Sequence, residues 1–306
     1  MDIDIAIVGG GPAGLNAALV LGRARRSVVL FDHNTPRNAV TKRTHGFLTR
    51  DGVSPGEIRR LAHQELKRYP SVLKQTDRVS GAKAEGNGFV LGTEKGAQFK
   101  VRKLLLATGL RESLPNVPNI GLFYGRSLFS CPYCDGWELR DKPLMVIAEG
   151  MNAFILTRLV YQWSPNLILC TNGRTNTVNA EQLRSLREMK VGFTQHRVTR
   201  LIGRDGHLKA VEFDNGSKSY RAGGFVSVNW REASTLGSEL GCMLNEQGGI
   251  WTDELGRTSV RGVYAAGDNA RISPAQAVIA AGDGSRAAIG INTDLVQEDG
   301  ASYSSR

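Results

Sequence analysis

The sequence predicts an α/β fold with two nucleotide-binding, Rossmann-like domains, the second inserted in the first. Three observations carry this prediction. A glycine motif, Gly9-Gly10-Gly11-Pro12-Ala13-Gly14, follows an apolar strand at the start of the chain. A second strand–helix–strand pattern occupies residues 144–170. From about residue 233 the chain returns to nucleotide-domain character and carries the segment Gly262–Asp268.

Each predicted element rests on its hydrophobic period and its length. Short apolar runs predict buried strands, whereas apolar residues at helical spacing, such as Ile58, Leu61 and Leu66, predict helices. In the first domain the predicted strands are 2–8, 27–31, 103–108 and 262–266, and the predicted helices are 15–22, 57–69 and 276–288. In the inserted domain the strands are 144–148 and 166–170, the helices are 151–163 and 181–189, and 198–213 is a β-meander.

The domain boundaries follow from the connecting segments. The Pro- and Asn-containing stretch Leu114–Asn119 predicts the first crossing between domains. Residues 1–112 and 236–306 are therefore expected to form one discontinuous domain, and residues 113–235 the inserted domain. The polar segment 297–306 is expected to be a tail.

Composition limits the classes of partner and location. Lys and Arg exceed Asp and Glu by 39 − 29 = 10, which favours an acidic partner. Nucleic acid is not expected, because no nucleic-acid-reading motif accompanies the basic residues. No apolar run is long enough to span a bilayer, and the first strand begins too early for a signal peptide. The chain is therefore expected to be cytoplasmic.

The glycine motif predicts a dinucleotide site. Gly9 closes a tight turn, Gly11 lets the backbone approach a pyrophosphate, and Gly14 allows close packing of helix on strand. The N-terminus of the following helix offers unpaired N–H groups to the phosphates. Asp32, at the end of the second strand, is placed to accept hydrogen bonds from ribose hydroxyls. The motif alone does not distinguish FAD from NAD.

Two cysteines stand close together in Cys131-Pro132-Tyr133-Cys134-Asp135-Gly136. A zinc site would need two more ligands, and Cys170 and Cys242 are isolated in apolar sequence, so no metal site is predicted. Two incidental buried thiols are a further alternative. A redox-active pair is favoured because it accompanies a nucleotide site.

These motifs together resemble the flavoprotein disulfide reductases that contain two dinucleotide domains. The resemblance rests on the glycine motif, Leu104–Gly109 and Thr258–Asp268, and it implies FAD at the first site. It places the Asp268 carboxylate on the ribityl chain and the N-terminus of the helix after Pro274 at the flavin pyrimidine ring, where it would stabilise reduced flavin. The expected FAD-binding residues are Gly9, Gly11, Pro12, Ala13, Gly14, Asp32, Arg37, Asn38, His45, Thr108, Gly109, Gly267, Asp268, Gln276 and Ala277.

The Cys-x-x-Cys-Asp-Gly run is similar to that of the low-molecular-weight thioredoxin reductases. The resemblance implies that Cys134 lies nearest the flavin, that Cys131 attacks the substrate disulfide, and that Asp135 is the acid/base. A helix N-cap is the alternative role for Asp135. The segments around Arg37 and His45 are similar to a subgroup that includes dithiol oxidases of sulfur-containing metabolites. His45 is either a proton donor near the flavin or a structural loop histidine.

The second nucleotide site departs from that family. Where the inserted domain should carry its own glycine fingerprint, the sequence has Ala148-Glu149-Gly150-Met151-Asn152-Ala153, and only Arg174 remains of the expected arginine cluster. A methyl group and a negative charge there disfavour a pyrophosphate. NADPH is therefore a doubtful cofactor. The resemblance is to the subgroup served by ferredoxin or by a second flavin, or another nucleotide, in the inserted domain.

The predicted function is that of an FAD-dependent disulfide/dithiol oxidoreductase. Two electrons pass between the flavin and the Cys131–Cys134 pair, and on to a thioredoxin-like protein or a small-molecule disulfide. A homodimer is expected, with an acidic ferredoxin-like protein as a candidate electron donor. The alternatives are an NADPH-dependent thioredoxin reductase with a divergent site, an oxygen-using dithiol oxidase, and a non-catalytic flavin redox sensor.

Overall fold

The computed structural model describes residues 3–304. The chain forms two compact units, and the sequence crosses between them more often than expected. The first unit contains the chain up to Ala39, Phe47–Arg111, and the chain from Arg231 onward. The second contains Glu112–Trp230 together with the short segment Val40–Gly46. The sequence alone predicts that this short segment belongs to the first domain.

The elements are as follows. The strands are β1 Ile3–Val8, β2 Val28–Phe31, β3 Val72–Gln75, β4 Val79–Glu85, β5 Gly88–Thr93, β6 Gln98–Leu106, β7 Leu110–Ser113, β8 Leu128–Phe129, β9 Leu144–Ile147, β10 Leu167–Cys170, β11 Gly192–Thr194, β12 Val198–Arg204, β13 His207–Phe213, β14 Lys218–Tyr220, β15 Gly223–Val226, β16 Asn229–Glu232 and β17 Val263–Ala265. The helices are α1 Pro12–Arg23, α2 Pro55–Leu66, α3 Pro132–Leu139, α4 Ala153–Tyr161, α5 Ala180–Glu188, α6 Leu236–Glu239 and α7 Ala277–Ser304.

The first unit is built on a sheet with strand order β3-β2-β1-β6-β5-β4, in which β17 also pairs with β6. β3, β2, β1, β6 and β17 are parallel, whereas β4 and β5 form an antiparallel hairpin. Alternate residues of β1 enter different cores: Ile5 and Ile7 pack with α1 and α7, and Ala6 and Val8 pack on the opposite face. Burial on both faces explains why β1 is continuously apolar from Ile5 to Val8 rather than alternating.

The second unit contains a five-stranded parallel sheet of order β11-β10-β9-β15-β8 and a three-stranded antiparallel sheet, β12-β13-β14. β9 is buried on both faces, with Met145 and Ile147 in one core and Leu144 and Val146 in the other. The predicted meander is confirmed: Asp205 and Gly206 join β12 to β13 with positive φ at both positions. β7 and β16 pair with each other where the chain passes between the units.

The C-terminal segment differs from the prediction. The segment 297–306 was expected to be a tail, but α7 continues to Ser304; residues 305 and 306 lie outside the described residues. Asp299 forms an ion pair with Arg26, and Glu298 pairs with Lys103 on β6. Charged residues that look solvated in the sequence therefore hold the helix end on the sheet. Within the described part of the chain, no helix combines the length and apolar character needed to cross a bilayer.

Candidate active site

The glycine loop lies in the first unit between β1 and α1, and its geometry depends on missing side chains. Gly9 has a φ of +117°, and a Cβ there would lie 2.1 Å from the carbonyl oxygen of Ala107. A Cβ on Gly14 would lie 1.9 Å from the carbonyl oxygen of Gly9. Both positions therefore accept only glycine, since a side chain would meet backbone atoms that cannot move aside.

Gly11 is different, because a Cβ there would meet no described atom within 4 Å. Gly11 is the N-cap of α1, Pro12 occupies the first turn, and no side chain of residues 3–304 caps the helix. The first-turn N–H groups lie at the positive end of a helix dipole and have no side-chain cap among the described residues. This open, uncapped terminus fits the pyrophosphate of a dinucleotide.

Asp32 follows β2 and is buried, at 3% exposure. Both of its carboxylate oxygens accept hydrogen bonds from Arg59 Nη2, at 2.7 and 2.6 Å, and His63 Nε2 lies 2.9 Å from Oδ2. Burial opposes ionisation, but the hydrogen bonds from His63 and the Asn34 N–H and the charge of Arg59 hold the pKa of Asp32 well below its usual range. Asp32 is therefore a carboxylate at any ordinary pH.

The remaining predicted flavin residues of the first unit follow the ends of its parallel strands. Thr108 and Gly109 follow the end of β6 after one intervening residue, and Gly267 and Asp268 follow the end of β17 in the same way, so they share the edge occupied by the glycine loop. The Asp268 carboxylate pairs with Arg37 at 2.8 Å. A Cβ on Gly267 would lie 2.9 Å from the Cβ of Ala13. Gln276 directly precedes α7 and Ala277 begins it; Asn38 lies beside Arg37 in a 3₁₀ turn.

The cysteine pair lies in the second unit at the N-terminus of α3. Cys131 and Cys134 form a disulfide with a Cα–Cα distance of 5.3 Å. Cys131 is the N-cap, and its carbonyl oxygen accepts hydrogen bonds from the N–H groups of Cys134 and Asp135. Cys134 thus sits in the first turn, where the partial positive charge of the helix stabilises a thiolate. The other two cysteines, Cys170 and Cys242, are free and buried.

Asp135 lies in the first helical turn after Cys134, so the N-cap alternative does not hold. Burial, aided by the nearby negative charge of Glu138, raises the pKa of Asp135 to about 7. Its proton can therefore be gained or lost near neutral pH. His45 Nε2 lies 3.5 Å from Glu138 Oε1, and both belong to the second unit. The predicted contact of His45 with flavin remains a prediction.

The glycine that follows the dithiol, Gly136, makes room for a neighbouring aromatic ring. A Cβ on Gly136 would lie 2.7 Å from the indole ring of Trp163, which also packs edge-on against Tyr133. The glycine therefore lets an aromatic ring pack directly against α3 at the position that follows Asp135.

Two charged residues pair at the altered glycine segment of the second unit. Glu149 follows β9, and its Oε1 accepts a hydrogen bond of 2.6 Å from Asn172 Nδ2, while Oε2 lies 3.8 Å from Arg174 Nε. The glutamate that follows Ala148, the residue at the first glycine position, thus pairs with the arginine that remains of the expected phosphate cluster. α4 begins at Ala153, two residues after the predicted start at Met151.

Sequence reasoning missed four residues that the structure places at these sites. Gly10 lies directly over Asp32, since a Cβ there would be 2.1 Å from Asp32 Cγ. Arg59 and His63 reach Asp32 from α2. The negative charge of Glu138 contributes to the raised pKa of Asp135. Only the helical position of Arg59 could have been read from the sequence, as part of the basic pair Arg59-Arg60; its partner lies 27 residues earlier.

Comparison with known proteins agrees with this architecture. Residues 3–284 match the model of the pyridine nucleotide-disulphide oxidoreductase family, and the chain belongs to that family. It is a flavin-dependent disulfide oxidoreductase of the thioredoxin reductase-like kind, and family membership implies FAD binding.

Individual relatives are similar over most of their length. The chain is 32% identical to thioredoxin reductase tcpT of Claviceps purpurea, over 87% of this chain and 86% of the relative. A Bacillus anthracis protein assigned as thioredoxin reductase TrxB superposes with a TM-score of 0.93 at 41% identity, covering 97% and 99% of the two chains. The crystal structure of HlmI superposes with a TM-score of 0.94 at 36% identity, covering 99% and 95%.

Proposed function

We propose that this protein exchanges two electrons between FAD and the Cys131–Cys134 pair, and then with a protein or small-molecule disulfide, without using NADPH. The observation that carries the proposal is the disulfide at the N-terminus of α3, followed directly by a carboxyl group with a pKa of about 7. Thiol–disulfide exchange needs a stabilised leaving thiolate and a group that moves protons near neutral pH, and these residues supply both.

With a dithiol substrate, the exchange proceeds through a mixed disulfide. One substrate thiolate attacks Cys131 Sγ; the Cys131–Cys134 bond breaks, a mixed disulfide forms, and Cys134 leaves as a thiolate near the helix N-terminus. The second substrate thiolate attacks the substrate sulfur that is bonded to Cys131. This step forms the substrate disulfide and releases Cys131. Asp135 accepts a proton from the substrate in this direction and donates one in the reverse direction. Bound FAD supplies the two-electron acceptor or donor that restores the pair.

Within the first unit, the residues that would hold FAD are those of the glycine loop, the ends of β6 and β17, and the start of α7. The first-turn N–H groups of α1 would bind the pyrophosphate. Asp268, held by Arg37, would meet the ribityl chain, and the N-terminus of α7 would face the flavin.

Independence from NADPH is supported by the pairing at the second site. A pyrophosphate beside Gly150 would meet the Glu149 carboxylate, and a 2′-phosphate would compete with Glu149 for Arg174. Both contacts oppose NADPH. The net charge of +10 supports an acidic donor such as a ferredoxin when the protein acts as a reductase.

Anaerobic stopped-flow absorbance tests the proposal. We expect reduced dithiothreitol to bleach the flavin band within seconds, and NADPH at millimolar concentration to leave it unchanged. Rapid bleaching by NADPH would support the second candidate, an NADPH-dependent thioredoxin reductase, which the names of the curated relatives favour. Peroxide release when oxygen is readmitted with excess dithiol would identify an oxidase.

Cysteine variants test the assignment of the two thiols. Cys134→Ser leaves Cys131 as a lone attacking thiol, so we expect it to accumulate a mixed disulfide with a disulfide probe, visible by mass spectrometry. Cys131→Ser is the matched control and should form no such adduct. Equal labelling of the two variants would contradict the assignment. If no dithiol or disulfide substrate turned over in the parent with any donor, the non-catalytic sensor interpretation would replace this one.

A further inference from the structure

The carboxylate of Asp32 is surrounded by protein groups at both of its oxygens. Its Oδ1 accepts from Arg59 Nη2 at 2.7 Å and from the Asn34 N–H at 3.0 Å, and its Oδ2 accepts from Arg59 Nη2 at 2.6 Å and lies 2.9 Å from His63 Nε2. A carboxylate offers about four acceptor positions in total. Donors from Arg59 and Asn34 engage three of them, His63 Nε2 lies against the fourth, and the side chain is only 4% exposed. A ribose hydroxyl would have to displace a partner to reach it.

Arg59 connects three separate parts of the dinucleotide site: the glycine loop, the end of β2 and the turn that follows β2. From α2, its Nε donates to the carbonyl oxygen of Gly10 at 3.3 Å, its Nη1 donates to Asn34 Oδ1 at 2.7 Å, and its Nη2 donates to Asp32. The planar guanidinium presents its donors in a fixed fork, so these contacts set the spacing between the glycine loop and the turn after β2. Its own side chain is buried, at 11% exposure.

The glycine loop rests directly on this ion pair. A Cβ on Gly10 would lie 2.1 Å from Asp32 Cγ. Position 10 therefore accepts only glycine while Asp32 keeps its place. A shift of Asp32 or Arg59 therefore moves the backbone that leads into the uncapped N-terminus of α1, where the pyrophosphate would bind.

We propose that Arg59 is a positioning residue of the dinucleotide site, and that Asp32 acts through Arg59 rather than as a hydrogen-bond partner of the adenosine ribose. This assigns Asp32 a role different from the one its place in the glycine fingerprint predicts. Arg59 and Asp32 then form one unit that fixes the glycine loop, and loss of either weakens FAD binding to the same extent. The inference does not depend on the electron donor or on the fate of the disulfide.

The first experiment measures the dissociation constant of FAD for flavin-stripped full-length protein, by quenching of flavin fluorescence. Arg59→Met should raise that constant about tenfold or more, as expected when a buried charge-assisted contact is lost. Arg60→Met is the matched control, because Arg60 is the neighbouring arginine of α2 but contacts only Glu57 and Gln64 among the described residues. The control should stay within about twofold of the parent.

A double-mutant cycle tests whether the two residues act as one unit. Asp32→Asn combined with Arg59→Met should bind FAD no more weakly than Arg59→Met alone, because the carboxylate has no function once the arginine is gone. Fully additive losses would overturn the proposal. The double variant also removes both charges together, so it avoids the unpaired buried charge that could unfold either single variant.

An FAD analogue lacking the adenosine 2′-hydroxyl separates positioning from direct contact. If Asp32 only positions Arg59, Asp32→Asn weakens FAD and the deoxy analogue by the same factor, and their ratio stays at the parent value. If the ratio falls to one in Asp32→Asn while Arg59→Lys keeps the parent ratio, Asp32 recognises the hydroxyl directly. That result would contradict the proposal. An FAD dissociation constant unchanged in Arg59→Met would do the same.

Discussion

Asp135 illustrates how one side chain acquires its chemistry from neighbours that are distant in sequence or invisible in it. The sequence places an acid after the dithiol, but not its burial or the influence of Glu138. Trp163 lies 27 residues beyond Gly136 and still closes over α3. The residue type was predictable, whereas its pKa of about 7 depends on packing.

We predict that Asp135→Asn lowers the rate of thiol–disulfide exchange about a hundredfold, the low end for loss of a general acid/base. In the parent, the rate should change with an apparent pKa near 7, and this limb should vanish in the variant. The measurement is the pH dependence of flavin reduction by a dithiol in single-turnover experiments. A limb of unchanged position in the variant would assign the proton to another group.

The same shift has a consequence for stability. The folded-state pKa of Asp135 lies above its ordinary value of 3.8, so folding favours the protonated form. Stability from this group is therefore present below about pH 4 and is lost as pH rises towards 7. Urea unfolding of Asp135→Asn should lack this decline.

At the scale of elements, prediction succeeded where a segment's own pattern determined its structure. β1, α1 and β2 are confirmed because a buried parallel strand is apolar throughout and the glycine loop marks where the helix begins. The end of α7 was predicted wrongly because its charged residues resemble a solvated tail. Their partners, Arg26 and Lys103, lie about 200 or more residues earlier in the chain, and no local pattern reveals them.

The end of α7 allows a direct comparison of two Lys–Glu pairs. Lys103 is 4% exposed and pairs with Glu298, whereas the Lys100–Glu85 pair is exposed. Glu298→Gln should therefore lower the free energy of unfolding by about 1–3 kcal/mol, since a buried cation loses its counter-charge. Glu85→Gln should cost much less, because solvent screens the exposed pair. Urea denaturation measures both, and equal losses would mean that Lys103 finds other partners.

At the scale of the whole molecule, the excess of basic residues affects association more than folding. An acidic donor should be attracted over several ångströms in dilute salt, and the attraction should be screened once the Debye length falls to about 8 Å. The fold does not depend on this net charge, because the two units are defined by their hydrophobic cores. The electron donor is therefore best approached through kinetics.

We predict that the bimolecular rate of flavin reduction by a reduced ferredoxin falls about tenfold or more as salt rises from about 0.01 to about 0.15 M. Reduction by neutral dithiothreitol is the control and should change little. Stopped-flow absorbance under anaerobic conditions measures both rates. A ferredoxin that fails to reduce the flavin at every ionic strength would remove this class of donor.

The segment Val40–Gly46 bears on any exchange of parts between related flavoproteins. It belongs to the second unit, although some 65 residues of the first unit separate it from the rest. Transplanting 112–230 alone would leave His45 behind and bring Glu138 into a host without its partner. A chimera meant to swap substrates would then lose a contact on α3, the helix that carries the dithiol, and a faithful graft must carry both pieces.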